Sequence, residues 1–411
     1  MTLHIAFVCN GFPIVSETFV TKQIFNASQA GYSVSVHCEF KNGTSEASIH
    51  QNLVSKLLEN GAYASSQWAD NFLLRFFQSL RFTIKHRAYH QFLKSLMHGK
   101  NGLSLRDFKN SASFIEAGKI DLVHAHFGPN GVKALVARQN GVISCPIITT
   151  FHGYDAHFTP ATKSKVIQSY RLLFSEGDVF ITNGQFLKNQ LIAIGCPPNK
   201  IRIIPNGVDT DFFSPKATII KKNPGTVKLI TVGRLIDLKN QSLGIKALKH
   251  LIDKNINAQY SVIGSGPLKE DLKKLAKSLD VESKVEFLGN LDQASLLIEL
   301  HNSDVFLMTS IPSKDGRQET QGIVTLEAQA SGLPVIAVKN GGIENTLRHG
   351  KTGFLANLGK QEEYMYYVLE LANNSELRAE LSANAPEFIH ANFNDKTVMN
   401  TLKSLYAEVL G

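Results

Sequence analysis

The sequence predicts an α/β protein made of two doubly wound parallel-sheet units, and three observations carry that prediction. Short apolar runs alternate with amphipathic stretches along most of the chain, the pattern of strands and the helices that cover them. The alternation stops at a proline-containing stretch after Val208 and then starts again. The 411 residues exceed what one ordinary core fills, so the restart reads as a second domain.

Taken in order, residues 3–9 read as a buried strand, residues 17–30 as a helix stopped by Gly31, and residues 33–39 as a second strand. Strands are further expected at 122–125, 147–151, 179–182 and 202–204, with helices between most of them. The first domain is set at 1–208 and a linker with Pro215 and Pro224 at 209–226. The second domain, 227–394, repeats the rhythm with strands at 228–232, 260–264, 285–288, 305–309 and 334–338. Ligands of open parallel sheets sit at the C-terminal strand ends, so the loops just after strands are where chemistry is expected.

Composition narrows the class. Hydrophobic residues are 43% and charged residues 19%, as in a soluble globular protein. The net charge of +8 is unevenly spread, since the first 205 residues carry 20 Lys/Arg against 11 Asp/Glu and the remainder 23 against 24. Four cysteines without CxxC spacing fit a reducing compartment and argue against a disulfide scaffold or zinc site. No apolar run reaches membrane-spanning length, and a cytoplasmic protein is expected.

Several strand-end motifs stand out. Glu319 and Glu327 flank Gly322-Ile323-Val324; a helix starting near Gly322 leaves its first backbone N–H groups open to phosphate or sugar oxygens. Carboxylates accept sugar hydroxyls well, although a helix-start acid and a solvated helix glutamate would look the same. Gly233-Arg234 ends a strand with Lys239 nearby, two cations suited to a departing diphosphate. His152 follows a strand in Phe151-His152-Gly153-Tyr154-Asp155, and Gly264-Ser265-Gly266-Pro267 reads as a tight turn. His124 and His126 share a strand face, but with His152 they lack the spacing of a metal set, and Asp209-Thr210-Asp211 reads as a turn. Finally, 75–109 holds eight Lys/Arg (Arg75, Arg81, Lys85, Arg87, Lys94, Lys100, Arg106, Lys109) and one acid, Asp107, among interleaved Phe, Leu and Ile. That suits an amphipathic helix on an anionic membrane face, or equally a core-packed helix with a solvated basic side.

Together these stretches resemble the retaining GT-B glycosyltransferases of family 4, over nearly the whole chain. The resemblance runs from Gly11-Phe12-Pro13 and Ser16-Glu17-Thr18-Phe19 through His124-Ala125-His126-Phe127, His152 to Asp155 and Pro205-Asn206-Gly207. It continues through Gly233-Arg234 with Lys239, Gly264 to Leu268, Glu319 to Glu327, Gly341-Gly342-Ile343-Glu344 and Thr352-Gly353-Phe354-Leu355. The Ser16–Phe19 and His124–Phe127 runs look like those of bacterial surface-polysaccharide transferases.

The resemblance implies two Rossmann-like domains facing across a cleft, the first binding acceptor and the second nucleotide sugar, with helix 395–411 crossing back onto the first. It implies Arg234 and Lys239 at the diphosphate, Glu319 and the backbone of Gly322, Ile323 and Val324 at the donor sugar, Glu327 at the ribose, and His152 near the reacting sugar. Gly11, Gly233, Gly264 and Gly266 join the donor side, and Ser16, Glu17 and Asp155 the acceptor side. No obligatory metal or other cofactor is implied. Many relatives have Gly where this chain has Thr320, whose Cβ is expected to restrict the donor loop. The function expected is sugar transfer from a nucleoside diphosphate to a lipid-linked or oligosaccharide acceptor in exopolysaccharide, capsule or lipopolysaccharide assembly. A sugar-nucleotide epimerase on the same architecture is the alternative, and nucleic-acid binding is disfavoured because the basic charge is localised.

Overall fold

The computed structural model describes residues 2–14, 17–41, 51–64, 68–97, 103–215 and 225–411. Ser16, Lys100 and half of the expected linker, 216–224, lie outside them. The chain divides into two units, Met1–Asn183 with Leu187–Ile204 and Met399–Gly411, and Gly184–Phe186 with Pro205–Val398.

The first unit is a parallel sheet of β1 (His4–Val8), β3 (Ser33–Cys38), β5 (Ala62–Ala64), β6 (Leu122–His126), β7 (Ile147–Phe151), β8 (Val179–Thr182) and β9 (Ile201–Ile203). Their spatial order is β5-β3-β1-β6-β7-β8-β9, while β2 (Gly11–Phe12) and β4 (Phe40–Lys41) pair separately. The central strands are buried along their whole length, which their unbroken apolar runs require of a sheet covered on both faces. Helices α1 (Thr18–Gln29), α2 (Gln51–Asn60), α3 (Phe72–His86), α4 (Tyr89–Leu96), α5 (Arg106–Ala117), α6 (Gly128–Gln139), α7 (Lys163–Glu176) and α8 (Gln185–Ala193) link the strands.

The second unit has β10 (Val227–Val232), β11 (Ala258–Ile263), β12 (Val285–Gly289), β13 (Val305–Met308), β14 (Val335–Val338) and β15 (Gly353–Ala356), ordered β12-β11-β10-β13-β14-β15 and parallel throughout. This is the dinucleotide-fold order, whose direction reverses beside its first strand. Its helices are α9 (Gln241–Asp253), α10 (Lys269–Ser278), α11 (Gln293–His301), α12 (Ile323–Ala330), α13 (Gln361–Asn373) and α14 (Ser375–Phe393). The last helix, α15 (Asp395–Leu410), begins in the second unit and finishes in the first, where Met399, Leu402, Leu405 and Tyr406 are buried.

The strands expected from the sequence are present, with ends shifted by one or two residues. β5, β15 and the β2–β4 pair go beyond that reading, because Ala62-Tyr63-Ala64 and two-residue strands carry no periodic signal of their own. The basic stretch is not one amphipathic helix but α3, α4 and the start of α5. Two of its cations are internal: Arg75 is 4% exposed and donates to the carbonyls of Ser104, Ala69 and Asp70 at 2.8, 3.1 and 2.8 Å. Lys109 donates to the Trp68 carbonyl at 3.3 Å and pairs with Asp70 at 3.4 Å. Phe82, Phe108 and Ala112 form the local core, with Phe92 and Trp68 against it. All four cysteines are free and buried. No helix among the described residues is long and apolar enough to cross a membrane.

Candidate active site

In the second unit, Gly233 follows the end of β10 and Thr309 the end of β13, the two strand ends that flank the reversal in strand order. The turn after β10 is locked there: Thr309 Oγ1 donates to the Lys239 carbonyl at 2.7 Å, and the Ile311 N–H donates to the Leu238 carbonyl at 3.0 Å. Lys239 runs its methylene stem past Gly233 and places Nζ 2.5 Å from Glu319 Oε2. Both side chains of this pair are 16% exposed. Arg234 is exposed, and its guanidinium has no ion-pair or hydrogen-bond partner among the described residues. One strand end thus presents a cation already held by a carboxylate beside a cation open to a ligand.

Helix α12 begins on the far side of Glu319. Gly322 caps it with φ 73° and brings no side-chain cap bond to its first N–H groups, which begin with Ile323 and Val324. Helix dipole and open donors make this end suitable for an anion or for sugar oxygens. Glu327, half-buried, lies one turn further along. The loop before the helix is clasped from two directions. Gln321 is 3% exposed; its Oε1 accepts from the backbone N–H and Nδ2 of Asn206, both at 2.9 Å, and its Nε2 donates to the Asn206 carbonyl at 3.0 Å. Gly342 donates its N–H to the Glu319 carbonyl at 2.7 Å, and a Cβ at Gly342 would collide with the Thr320 carbonyl. Thr320 is not among the residues at positive φ, so its Cβ does not strain the loop as the sequence suggested; the glycines on either side supply the freedom.

Gly264 and Gly266 pack closely on the backbone of the first loop. Ser265 accepts the Leu235 N–H at 2.9 Å, and a Cβ at Gly264 would run into the Gly233 carbonyl, so the second loop supports the first from behind. Asp209 closes the expected turn, its Oδ1 accepting the Phe212 N–H at 2.9 Å, while Asp211 pairs with Lys396 at 2.7 Å. Among the described residues, no group of three or more His, Cys, Asp or Glu is arranged to hold a metal ion.

The first unit's strand ends carry a different constellation. His124 and His126, two apart on β6, stack at 4.9 Å between ring centroids, and His126 stacks on His152 at 5.3 Å. His126 Nδ1 lies 3.0 Å from His152 Nε2, and His124 bonds Thr150 Oγ1 and the Tyr406 hydroxyl, each at 2.7 Å. These ring nitrogens face one another and neighbouring hydroxyls, while His126 Nε2 is buried without a partner among the described residues, and the set is a partly hydrogen-bonded stack. Burial pushes all three imidazoles down, His126 to about 3, with the neighbouring rings adding to the effect at His124 and His152. They are neutral at pH 7.

Asp155 corrects an expectation. It is 7% exposed and receives the N–H groups of Gly128, His152 and Gly153 at 2.9, 3.0 and 2.8 Å, so its carboxylate shapes the His152 loop and caps α6 instead of meeting an acceptor. Glu17 remains open: its Oε2 is buried with no partner among the described residues, and burial raises its pKa. Gly11 lies beneath the Phe40 ring. The sequence reading quoted Asn206 without a role and missed Gln321 and the Asn10 bridge, in which Asn10 donates to the Tyr154 hydroxyl and accepts from Asn130, both at 3.0 Å.

Residues 16–212 match the family described as Glycosyltransferase Family 4, and residues 215–388 the family described as Glycosyl transferases group 1. WcaL of Salmonella typhimurium, a glycosyltransferase provisionally assigned to colanic acid biosynthesis, is 28% identical over 98% of this chain and 99% of its own. The amylovoran biosynthesis glycosyltransferase AmsK of Erwinia amylovora is 27% identical over 90% and 91%. An Escherichia coli UDP-Gal:alpha-D-GlcNAc-diphosphoundecaprenol alpha-1,3-galactosyltransferase is 24% identical over 74% and 81%. Among solved structures, Anabaena Alr3699/HepE in complex with UDP and glucose superposes with a TM-score of 0.72 at 18% identity, covering 99% of this chain and 100% of that one.

Proposed function

The chain belongs to glycosyltransferase family 4 and is a glycosyltransferase of GT-B fold, and from that premise we propose that it moves a sugar from a nucleoside-diphosphate donor to a lipid-linked or oligosaccharide acceptor. The proposal includes retention of the anomeric configuration, no obligatory metal, a cytoplasmic location and a place in bacterial surface-polysaccharide assembly. The observation that carries it is the strand-end pair of cations, Arg234 open and Lys239 held by Glu319, beside the uncapped start of α12.

A departing nucleoside diphosphate gains negative charge as the glycosidic bond breaks. Fixed cations that meet this charge lower the barrier without reorganising, which is the part assigned to Arg234 and Lys239. Glu319 is assigned to the donor sugar's hydroxyls together with the Ile323 and Val324 N–H groups, and Glu327 to the ribose. The donor class draws support from relatives: HepE was solved with UDP, and the E. coli galactosyltransferase is named for a UDP sugar and a diphosphoundecaprenol-linked acceptor. AmsK, named for amylovoran, supports the polysaccharide setting.

The test incubates the full chain with UDP-, GDP- and ADP-sugars, with and without lipid-linked saccharide acceptors, in EDTA and in magnesium or manganese. Nucleoside diphosphate release that depends on acceptor, persists in EDTA and gives a product of unchanged anomeric configuration by NMR is expected. Loss in EDTA with restoration by the metal would overturn the metal-free reading, and inversion the retaining one. Interconversion of sugar nucleotides without acceptor would identify an epimerase instead.

A further inference from the structure

Helix α3 of the first unit is inside out. The side it turns to the protein carries Arg75, Ser79, Phe82 and Thr83, all buried. Ser79 Oγ and Thr83 Oγ1 are buried without a hydrogen-bond partner among the described residues. The side it turns outward carries Leu73, Phe77, Leu80 and Ile84, which are 65%, 64%, 40% and 57% exposed. At about 100° per residue these four fall within one narrow stripe, spaced as i, i+4, i+7 and i+11. Phe72, Leu74 and Phe76 widen it, each more than a third exposed.

A helix in water places its apolar stripe on the core and its hydroxyls outside. Here the helix is well formed at both ends, so a misplaced register is not the cause. Asn71 caps the start, its Oδ1 accepting the Leu73 N–H at 2.9 Å, and Arg87 closes the end with φ 55°. The three carbonyl bonds of Arg75 fix which face points inward. An apolar face held outward by an internal lock is a surface built for a non-aqueous neighbour.

Charge identifies that neighbour. Residues 71–106 contain no Asp or Glu. On the helix, Arg81 and Lys85 lie along one edge of the apolar stripe and are exposed, and Arg87 follows. An apolar stripe with basic residues at its margin and no acid on the helix itself complements an anionic lipid surface, with cations at the headgroups and Leu and Phe at the acyl boundary. The geometry points to α3 as an in-plane membrane anchor, committed to a bilayer containing anionic lipid. Leu73, Phe77, Leu80 and Ile84 supply the inserted face, and Arg81 and Lys85 the headgroup contacts. Arg75 and Lys109 take no part, because both are bound internally.

The experiment sediments the full chain with vesicles of phosphatidylcholine alone and of phosphatidylcholine mixed with phosphatidylglycerol, at low and high salt, without donor or acceptor. Its outcome is thus separate from that of the transfer reaction. Binding to the anionic vesicles is expected, weakened but not abolished by salt. Replacing Leu73, Phe77, Leu80 and Ile84 together by Ser should lower the affinity on the order of a hundredfold. Arg81→Ser with Lys85→Ser should lower it about tenfold and remove most of the salt dependence. Unchanged thermal melting of both variants would show that the fold survives. Wild-type protein that ignores anionic vesicles at low salt overturns the proposal, as does a fourfold variant that binds like wild type. A wild-type dimer that the fourfold variant dissociates, with no vesicle binding by either, assigns the face to a second copy instead.

Discussion

The two units carry the same kind of sheet and put opposite chemistry at its strand ends. In the second unit the ends of β10 and β13 hold charge: Arg234 exposed, Lys239 against Glu319 at 2.5 Å, and an uncapped helix start. In the first unit the ends of β6 and β7 hold neutral rings, the buried His124 and His126 with the half-buried His152 stacked beside them. Full charge suits a ligand that is itself ionic and grows more so during reaction. A neutral, preorganised polar wall suits a ligand whose hydroxyls need orienting and not balancing. The contrast teaches that the fold sets where a site lies, while local burial decides whether its groups are ionised.

The largest effect expected from breaking this contrast is in the charged half. Arg234→Ala and Lys239→Ala should each cost on the order of 3 kcal/mol of transition-state stabilisation, a hundredfold or more in turnover, with little change in melting temperature for Arg234→Ala. Steady-state kinetics beside thermal melts decide it, and near-wild-type turnover in both would remove the pair from the mechanism.

Acid should act mainly on the neutral half. His37 and His126 have pKa values of about 3 in the folded chain, burial being the main cause, against 6.5 for the free side chain. Between those values the unfolded chain binds protons that the folded one does not. Stability is therefore full above pH 6.5 and is lost as pH falls, by about 1.4 kcal/mol per pH unit for each such histidine. Melting followed by near-ultraviolet circular dichroism from pH 7 to 5 should show the loss, and His126→Phe should reduce the slope.

Within the charged half, Glu319 and Glu327 should separate. Glu319→Ala should lower kcat about tenfold or more with a smaller change in donor affinity, whereas Glu327→Ala should weaken donor binding with kcat nearly kept. Donor titrations beside kinetics test this, and the reverse pattern would exchange their roles. The smallest effect belongs to Tyr406→Phe, which removes the bond to His124 without creating a cavity and should cost about 1 kcal/mol in chemical denaturation.

Legibility followed sequence distance. The Gly322 helix start could be read because a glycine followed directly by the apolar Ile323-Val324 announces it locally. The Asn206–Gln321 clasp could not, since its partners are 115 residues apart and neither amide is unusual in its own neighbourhood. Asp155 was misread because a carboxylate after a strand looks alike whether it meets a ligand or three backbone N–H groups. The orientation of α3 was out of reach for a different reason. Its apolar residues occupy so much of the circumference that periodicity leaves two candidate inner faces, and the Arg75 bond to Ser104 with the packing of Phe82 on Phe108 chooses between them.

The closing half of α15 has a consequence for the order in which the protein is made. Residues 399–411 complete the first unit, where Tyr406 is fully buried against β6. A ribosome adds them after every residue of the second unit. The first unit, though synthesised first, keeps an open seam over His124 until the last turns of helix emerge, while the second unit can close beforehand. Stalled chains that carry residues 1–398 followed by a flexible linker long enough to clear the exit tunnel should therefore resist protease in the second unit and yield in the first, against the usual expectation that the N-terminal domain matures earlier.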